Sequence, residues 1–177
     1  MVTRFYHFFC GLLLLLTLSS CGFQLRGYGS QTFPFHTLYL LSNPLYTDFS
    51  KKLRQSLIAM GIDVRTSPPA PVVLQILSQE SMRTITNLGN AGQTTTYLLS
   101  YIVFFQLLDS THRILLPRQQ IRVTRNFSIT SNQLTGDLNI QRSLEEDMQN
   151  DAVQQLITRL TAPVLRQRLC QLYSLTQ

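Results

Sequence analysis

Between Thr94 and Leu108 the chain carries an apolar residue at most positions, and the arrangement suits a strand better than any other element. Read with a two-residue period, Tyr97, Leu99, Tyr101, Val103 and Phe105 fall on one side, and Leu98, Ile102 and Phe104 on the other. Just before it, Asn87-Leu88-Gly89-Asn90-Ala91-Gly92 supplies the glycine and asparagine that tolerate positive φ, so it reads as a hairpin tip. Antiparallel pairing with the preceding segment follows. A strand that is apolar on both sides of such a sheet needs cover on its second face, and one helix layer cannot supply both covers. The second cover is either more of this chain, as a helix on each face or a curled sheet, or a partner.

The neighbouring segments fit around that strand. Val72 to Thr86 alternates, with Val72, Leu74, Ile76 and Met82 on one side and Gln75, Gln79, Ser81 and Arg83 on the other, which predicts a long half-buried strand. After the turn Asp109-Ser110-Thr111-His112-Arg113, alternation returns from Gln120 to Thr130. There Ile121, Val123, Phe127 and Ile129 face the core with Arg125 as the exception, and Gln120, Arg122, Thr124, Asn126 and Ser128 form a polar stripe whose default partner is water. Thr37 to Leu41, bounded by Pro34 and by Ser42-Asn43-Pro44, reads as the first strand.

Two helices are expected. Phe49, Leu53, Leu57, Ile58 and Met60 follow helical spacing between Thr47 and Gly61, with Thr47 or Asp48 as N-cap and Gly61 as the stop. Lys51, Lys52 and Arg54 read as the wet side of that helix. Ile62 to Thr66 is a short extended piece, ended by the prolines of Ser67-Pro68-Pro69-Ala70-Pro71. A polar loop from Ser131 to Asn139 leads to Ser143-Leu144-Glu145-Glu146, a capping-box pattern that predicts a helix start. On this reading Glu145, Glu146 and Asp147 are first-turn charges that complement the helix dipole. Leu144, Met148, Ala152, Leu156 and Leu160, with Val153 and Ile157 beside them, form the buried stripe. Pro163 disturbs the helix, and Leu165, Leu169 and Leu172 suggest a further helical segment. The fold class is therefore α+β: a two-layer sandwich with a mixed, mostly antiparallel four-stranded sheet and two main helices, in the order β-α-β-β-β-α.

The first 20 residues read differently. Arg4 precedes an apolar run from Phe5 to Leu16, which has the pattern of a signal peptide and is shorter than the roughly 20 residues a spanning helix needs. Leu18-Ser19-Ser20-Cys21 resembles a bacterial lipobox, in which Cys21 is acylated and becomes the first mature residue. Gly22 stands where an aspartate would argue for retention in the inner membrane, so the outer membrane is expected. Several acyl chains, each buried methylene contributing about 0.8 kcal/mol, make a permanent anchor where one chain is marginal. The organisation expected is a signal peptide over 1–20, an acylated tether over 21–36 and a single domain over 37–177.

Hydrophobic residues make up 44% and charged ones 14%, which excludes a solvating disordered chain. Arginine supplies 13 of the 15 basic residues, and its planar fork pairs bidentately with phosphate or carboxylate. Anionic partners fit that bias, as does plain solvation of an exported domain. Cys10 leaves with the signal and Cys21 is taken by acylation, so Cys170 has no partner in the mature chain and reads as a small buried or half-buried side chain.

Cys21-Gly22-Phe23-Gln24-Leu25-Arg26-Gly27 at the mature start, Asn90-Ala91-Gly92-Gln93 opening the two-sided strand and Glu146-Asp147-Met148 heading the last helix come in an order that resembles the LptE family of lipopolysaccharide-assembly lipoproteins. The resemblance implies an outer-membrane lipoprotein that sits inside the LptD barrel as a plug and supports barrel assembly and lipopolysaccharide delivery to the outer leaflet. A polar barrel lumen would then meet the sheet faces. It also implies lipopolysaccharide as ligand, for whose phosphates Arg83, Arg118, Arg122 and Arg142 are the candidates. The tip from Asn87 to Gly92 is uncharged, which argues against a phosphate site there.

Neither a metal-ligand spacing nor a glycine-rich phosphate loop appears, and His36 and His112 lie far apart in sequence. A binding protein without cofactor, metal or nucleic acid is expected rather than an enzyme. The alternative is a periplasm-facing outer-membrane lipoprotein that binds cell-wall glycan or serves another envelope complex.

Overall fold

In the computed structural model the described residues are 33–42, 47–88, 94–130 and 134–167, with the side chains of 88, 130 and 134–138 excepted. They belong to one compact unit, Thr32–Gln177. Cys21, Cys170, Leu169, Leu172 and the tip residues 89–93 lie outside the described residues.

Among the described residues five strands and two main helices succeed one another: β1 (Thr37–Ser42), α1 (Asp48–Ala59), β2 (Asp63–Arg65), β3 (Val72–Leu88), β4 (Thr94–Asp109), β5 (Ile114–Thr130) and α2 (Leu134–Leu160). The sheet order is β2-β1-β3-β4-β5. β1 runs parallel to both of its neighbours, while β3, β4 and β5 pair antiparallel. The expected class holds with one correction, since the sheet has five strands and not four. The fifth is the extended piece after α1, too short to show a period, which pairs Thr37 with Asp63 and Tyr39 with Arg65.

Helix α1 starts where the sequence places it. The Thr47 hydroxyl accepts from the Ser50 amide at 3.2 Å, satisfying one of the open donors of the first turn. It ends at Ala59 with Met60 as C-cap, and Gly61 follows with a φ of 84° that suits a residue without Cβ. Phe49, Leu53 and Leu57 are buried against the sheet.

Helix α2 departs from expectation. It begins at Leu134 and passes through Ser143 without a break, so the capping-box pattern lies in a helix interior and caps nothing. Glu145, Glu146 and Asp147 accordingly sit mid-helix, away from the dipole end that was expected to hold them. The added turns are supported by local and tertiary contacts. Gln141 donates to Glu145 Oε1 at 2.9 Å across one turn, and Arg83 of β3 donates to Gln141 Oε1 at 3.1 Å. Helix propensity is a weak prior that such contacts override. The helix stops at Leu160, and a helical turn over 163–167 begins at Pro163 with Leu165 buried.

One face of the sheet and both helices enclose a single core. It holds Leu38 and Leu40 of β1, Val72, Leu74 and Ile76 of β3 and the odd-numbered residues Leu99 to Leu107 of β4. Leu115, Ile121, Val123 and Phe127 of β5 complete the sheet side, and Met148, Ala152, Val153, Leu156, Ile157 and Leu160 of α2 the helix side. Each large side chain so buried contributes on the order of 1.5–3 kcal/mol. Phe33 and Phe35 join this core ahead of β1, their ring centroids 5.7 Å apart.

The alternation of β3 is broken by a bulge. Ile76 pairs with Phe105 but Ser78 pairs with Phe104, so Leu77 is the extra residue and the side chains from Ser78 to Ile85 change face, up to a second register shift between Ile85 and Asn87. Met82 therefore opposes Ser100 on the second face and not the side of Val72 and Leu74, and it is exposed. Gln79, Ser81 and Arg83 take the helix-facing side, apart from Gln75, which stays opposite Gln106 and accepts from its side chain at 2.8 Å.

Candidate functional site

The sequence marks four arginines for anion contact, and the fold divides them into two pairs on opposite faces. Arg83 stands on the helix-facing side of β3, beyond the apolar part of the core. Its guanidinium lies 4.9 Å from the centroid of the Tyr97 ring and donates to Gln141 on α2. Stacking on an aromatic face and bonding an amide together hold a guanidinium in one place while leaving N–H groups for an incoming anion. Arg142 follows Gln141 directly and is exposed.

Arg118 and Arg122 lie on the other face. The Arg118 guanidinium sits 4.1 Å over the Phe104 ring. Arg122 opposes Ile102, whose other neighbour in the row is Glu80. This second face carries the polar stripe of β5 as expected, and Thr96 and Ser128 hydroxyls meet at 3.1 Å across it. Beside the stripe run Leu98, Ser100, Ile102 and Phe104 of β4, and Val73 and Leu108 at its end. Among the described residues both helices lie on the opposite face, within the single core, so the arrangement with one helix on each face is not the one adopted. What remains is a face of mixed character, with apolar residues in a central strand and arginines and amides along an edge strand.

The two faces are held in register by contacts around the sheet. On the helix side, Arg125, the exception in the apolar side of β5, is ion-paired with Asp151 of α2. Arg159 of the same helix donates to Gln119 at 3.1 Å. Tyr101 donates to Gln79 Oε1 at 3.2 Å, and Gln79 donates to the Thr47 hydroxyl at 3.0 Å, so β4, β3 and the cap of α1 share one chain of bonds. Burial pushes the Tyr101 phenol far above its ordinary value, and the nearby Asp48 carboxylate adds to the rise, so it remains a donor.

The β4–β5 turn is fixed by Asp109. Its carboxylate accepts from the amides of Thr111 and Arg113, the Thr111 hydroxyl and Arg113 Nε, at 2.7 to 2.9 Å. Burial opposes its ionisation, but the hydrogen bonds from Thr111 and Arg113 outweigh it and hold the carboxyl down at about 2. His112 takes φ 65° at the apex. Among the described residues no group of His, Cys, Asp and Glu could hold a metal ion, and no helix is long and apolar enough to cross a membrane.

With this geometry in view, the family model for LptE, lipopolysaccharide assembly, matches residues 35–160, which takes in every strand and both helices. The chain belongs to the LptE family. Solved structures agree with its fold. Lipoprotein B from Nitrosomonas europaea superposes with a TM-score of 0.66 at 28% identity, covering 80% of this chain and 91% of that one. A minor lipoprotein from Acinetobacter baumannii gives 0.60 at 22% identity over 73% and 94%, and rare lipoprotein B from Shewanella oneidensis gives 0.51 at 18% over 80% and 99%. No curated protein matches the sequence. The chain is thus a lipopolysaccharide-assembly lipoprotein of the LptE family.

Sequence reasoning found the four arginines but missed their partners. Tyr97 and Phe104 read in the sequence only as apolar positions of β4, and Gln141, ahead of the expected helix start at Ser143, carries no role there, whereas the helix begins seven residues before it. A signal was present for one of them: Arg83 and Tyr97 sit symmetrically about the hairpin tip, close enough in a paired register to meet.

Proposed function

We propose that this LptE family member is anchored in the outer membrane through acylated Cys21 and plugs the barrel of an LptD-like protein. There it supports barrel assembly and delivery of lipopolysaccharide to the outer leaflet. It acts by binding and carries out no turnover.

The observation that carries the reading is the family match over the whole sheet and both helices. The second sheet face fits it physically. An apolar central strand flanked by Gln120, Arg122, Thr124, Asn126 and Ser128 can lie against a barrel wall, where amides and hydroxyls find polar partners and Leu98 and Phe104 gain cover. Arg118 and Arg122 on that face, and Arg83 with Arg142 on the other, are the candidate contacts for lipopolysaccharide phosphates. Since the two pairs lie on opposite faces, they would serve separate phosphates or only one pair would serve any.

Changing each pair to glutamine and measuring lipopolysaccharide bound to the full-length chain in detergent decides between them. Loss of binding with the Arg118/Arg122 pair alone assigns the ligand to the second face. Loss with neither pair removes these residues from the site.

A further inference from the structure

On α1, Lys51, Arg54 and Ile58 recur at intervals of three and four residues and form one stripe beside the buried one. Together with Leu40 of β1, Arg65 of β2 and Thr66 they line an open cavity of about 240 Å³ at the end of the sheet opposite the β3–β4 tip. Its cations are in different states. Lys51 meets Asp48 at 3.4 Å, and Arg65 is held by Asp63 at 3.2 Å and by the Pro69 carbonyl at 3.0 Å. Arg54 is half-buried and, among the described residues, has neither a hydrogen bond nor an ion pair.

A guanidinium carries five N–H donors, and those of Arg54, half-buried in a concave, partly apolar wall, are engaged by no protein group among the described residues. The two carboxylates paired with the cavity's lining cations, Asp48 and Asp63, are exposed, and the three lining cations outnumber them. Exposed pairs of that kind contribute only about 0–1 kcal/mol, so a doubly charged anion can compete for the same cations. The cavity is large enough for a phosphate group and opens to solvent, which leaves room for whatever the phosphate is attached to.

We infer that this cavity is a phosphate-binding site, with Arg54 as its principal ligand and Lys51 as a second. The apolar wall of Leu40 and Ile58, the latter 50% exposed, lies where the ester substituent of a bound phosphate would rest. The phosphate belongs either to a lipid headgroup or to the free ion. The site is separate from the four arginines proposed above and does not depend on their role.

Calorimetric titration of the full-length chain in an uncharged detergent tests this, with inorganic phosphate and dihexanoyl phosphatidic acid as probes. Saturable binding of at least one probe is expected. Arg54→Gln weakens it by about tenfold or more, the value of one charge-assisted hydrogen bond, and Arg54→Lys by a smaller factor because the charge stays while the fork is lost. Arg159→Gln, a cation change on α2, leaves it unaltered. Tighter binding of the lipid identifies a headgroup as the source, and equal binding of both identifies the phosphate alone. Absence of saturable binding for both probes, or equal weakening by Arg54→Gln and Arg159→Gln, overturns the assignment.

Discussion

The bond chain from Tyr101 through Gln79 to Thr47 couples the middle of the sheet to the start of α1, and a double-mutant cycle measures how strongly. Thr47→Ala removes the acceptor of the Ser50 amide, worth about 1 kcal/mol as an N-cap, and leaves Gln79 Nε2 without its partner at 3.0 Å, worth roughly another 0.5–1.5 kcal/mol. Tyr101→Phe deletes the hydroxyl that fixes Gln79 Oε1 and costs about 1 kcal/mol. Among the described residues Gln79 is the hydrogen-bonded link between the two hydroxyls, and with Tyr101 changed to Phe, which keeps the ring against Phe49, its amide is free to reorient toward solvent. The Thr47 contact is then already weakened, so the double mutant loses less than the sum of the singles by about 0.5 kcal/mol or more. Urea unfolding of the full-length chain in a mild detergent, followed by circular dichroism, reads all four corners. Additivity within about 0.3 kcal/mol would show that Gln79 holds its position without Tyr101 and would refute the coupling.

Other expectations follow from single elements. Ser143→Ala leaves stability unchanged or raises it by a few tenths of a kcal/mol, because an interior helical position gains from alanine; a loss of about 1 kcal/mol in the same urea assay would restore Ser143 as a cap. Leu156→Ala, at a fully buried position, costs about 2–5 kcal/mol, whereas Ile58→Ala on the exposed side stays within about 0.5 kcal/mol; equal costs would contradict the placement of the core. Asp109 titrates below its unfolded value of roughly 3.9. Its stabilisation is complete above that pH and is lost as pH falls through about 2. Asp109→Asn should therefore reduce stability at pH 7 and flatten its fall between those values; an unchanged acid limb would show that the turn does not depend on the carboxylate.

The sheet was legible where pattern and burial coincide. β4 reads as a strand because its two-residue period puts Leu99, Tyr101, Val103 and Phe105 on the core, and Ile121, Val123 and Phe127 alternate because β5 has one face on the same core. Thr47 and Gly61 bound α1 through chemistry that acts over three or four residues, and such signals survive without tertiary knowledge. What was illegible depends on long-range partners. Three residues of β2 have no period of their own and become a strand through β1. The bulge at Leu77 leaves no mark in a stretch where Leu77 is itself apolar, yet it moves Met82 and Arg83 to opposite faces from those the alternation assigned.

Ser143 shows the same limit from the other side. A Ser followed three residues later by Glu reads as a cap, but the same spacing occurs within helices, and here Gln141, Glu145 and Arg83 continue the helix back through it. The candidate site suffered most from this. Arginine identity was visible, whereas the aromatic faces that hold Arg83 and Arg118, and the separation of the two pairs, come from register alone.

The central claim is that this LptE family lipoprotein works inside a barrel. Its most direct test is to express the full-length chain in its native envelope, extract it in mild detergent, purify it through a tag and weigh what remains bound. An integral barrel protein in one-to-one ratio, released when Arg122, Thr124 and Asn126 are changed to glutamate on the second face, is the predicted result. Recovery of the lipoprotein alone at every detergent strength would contradict it.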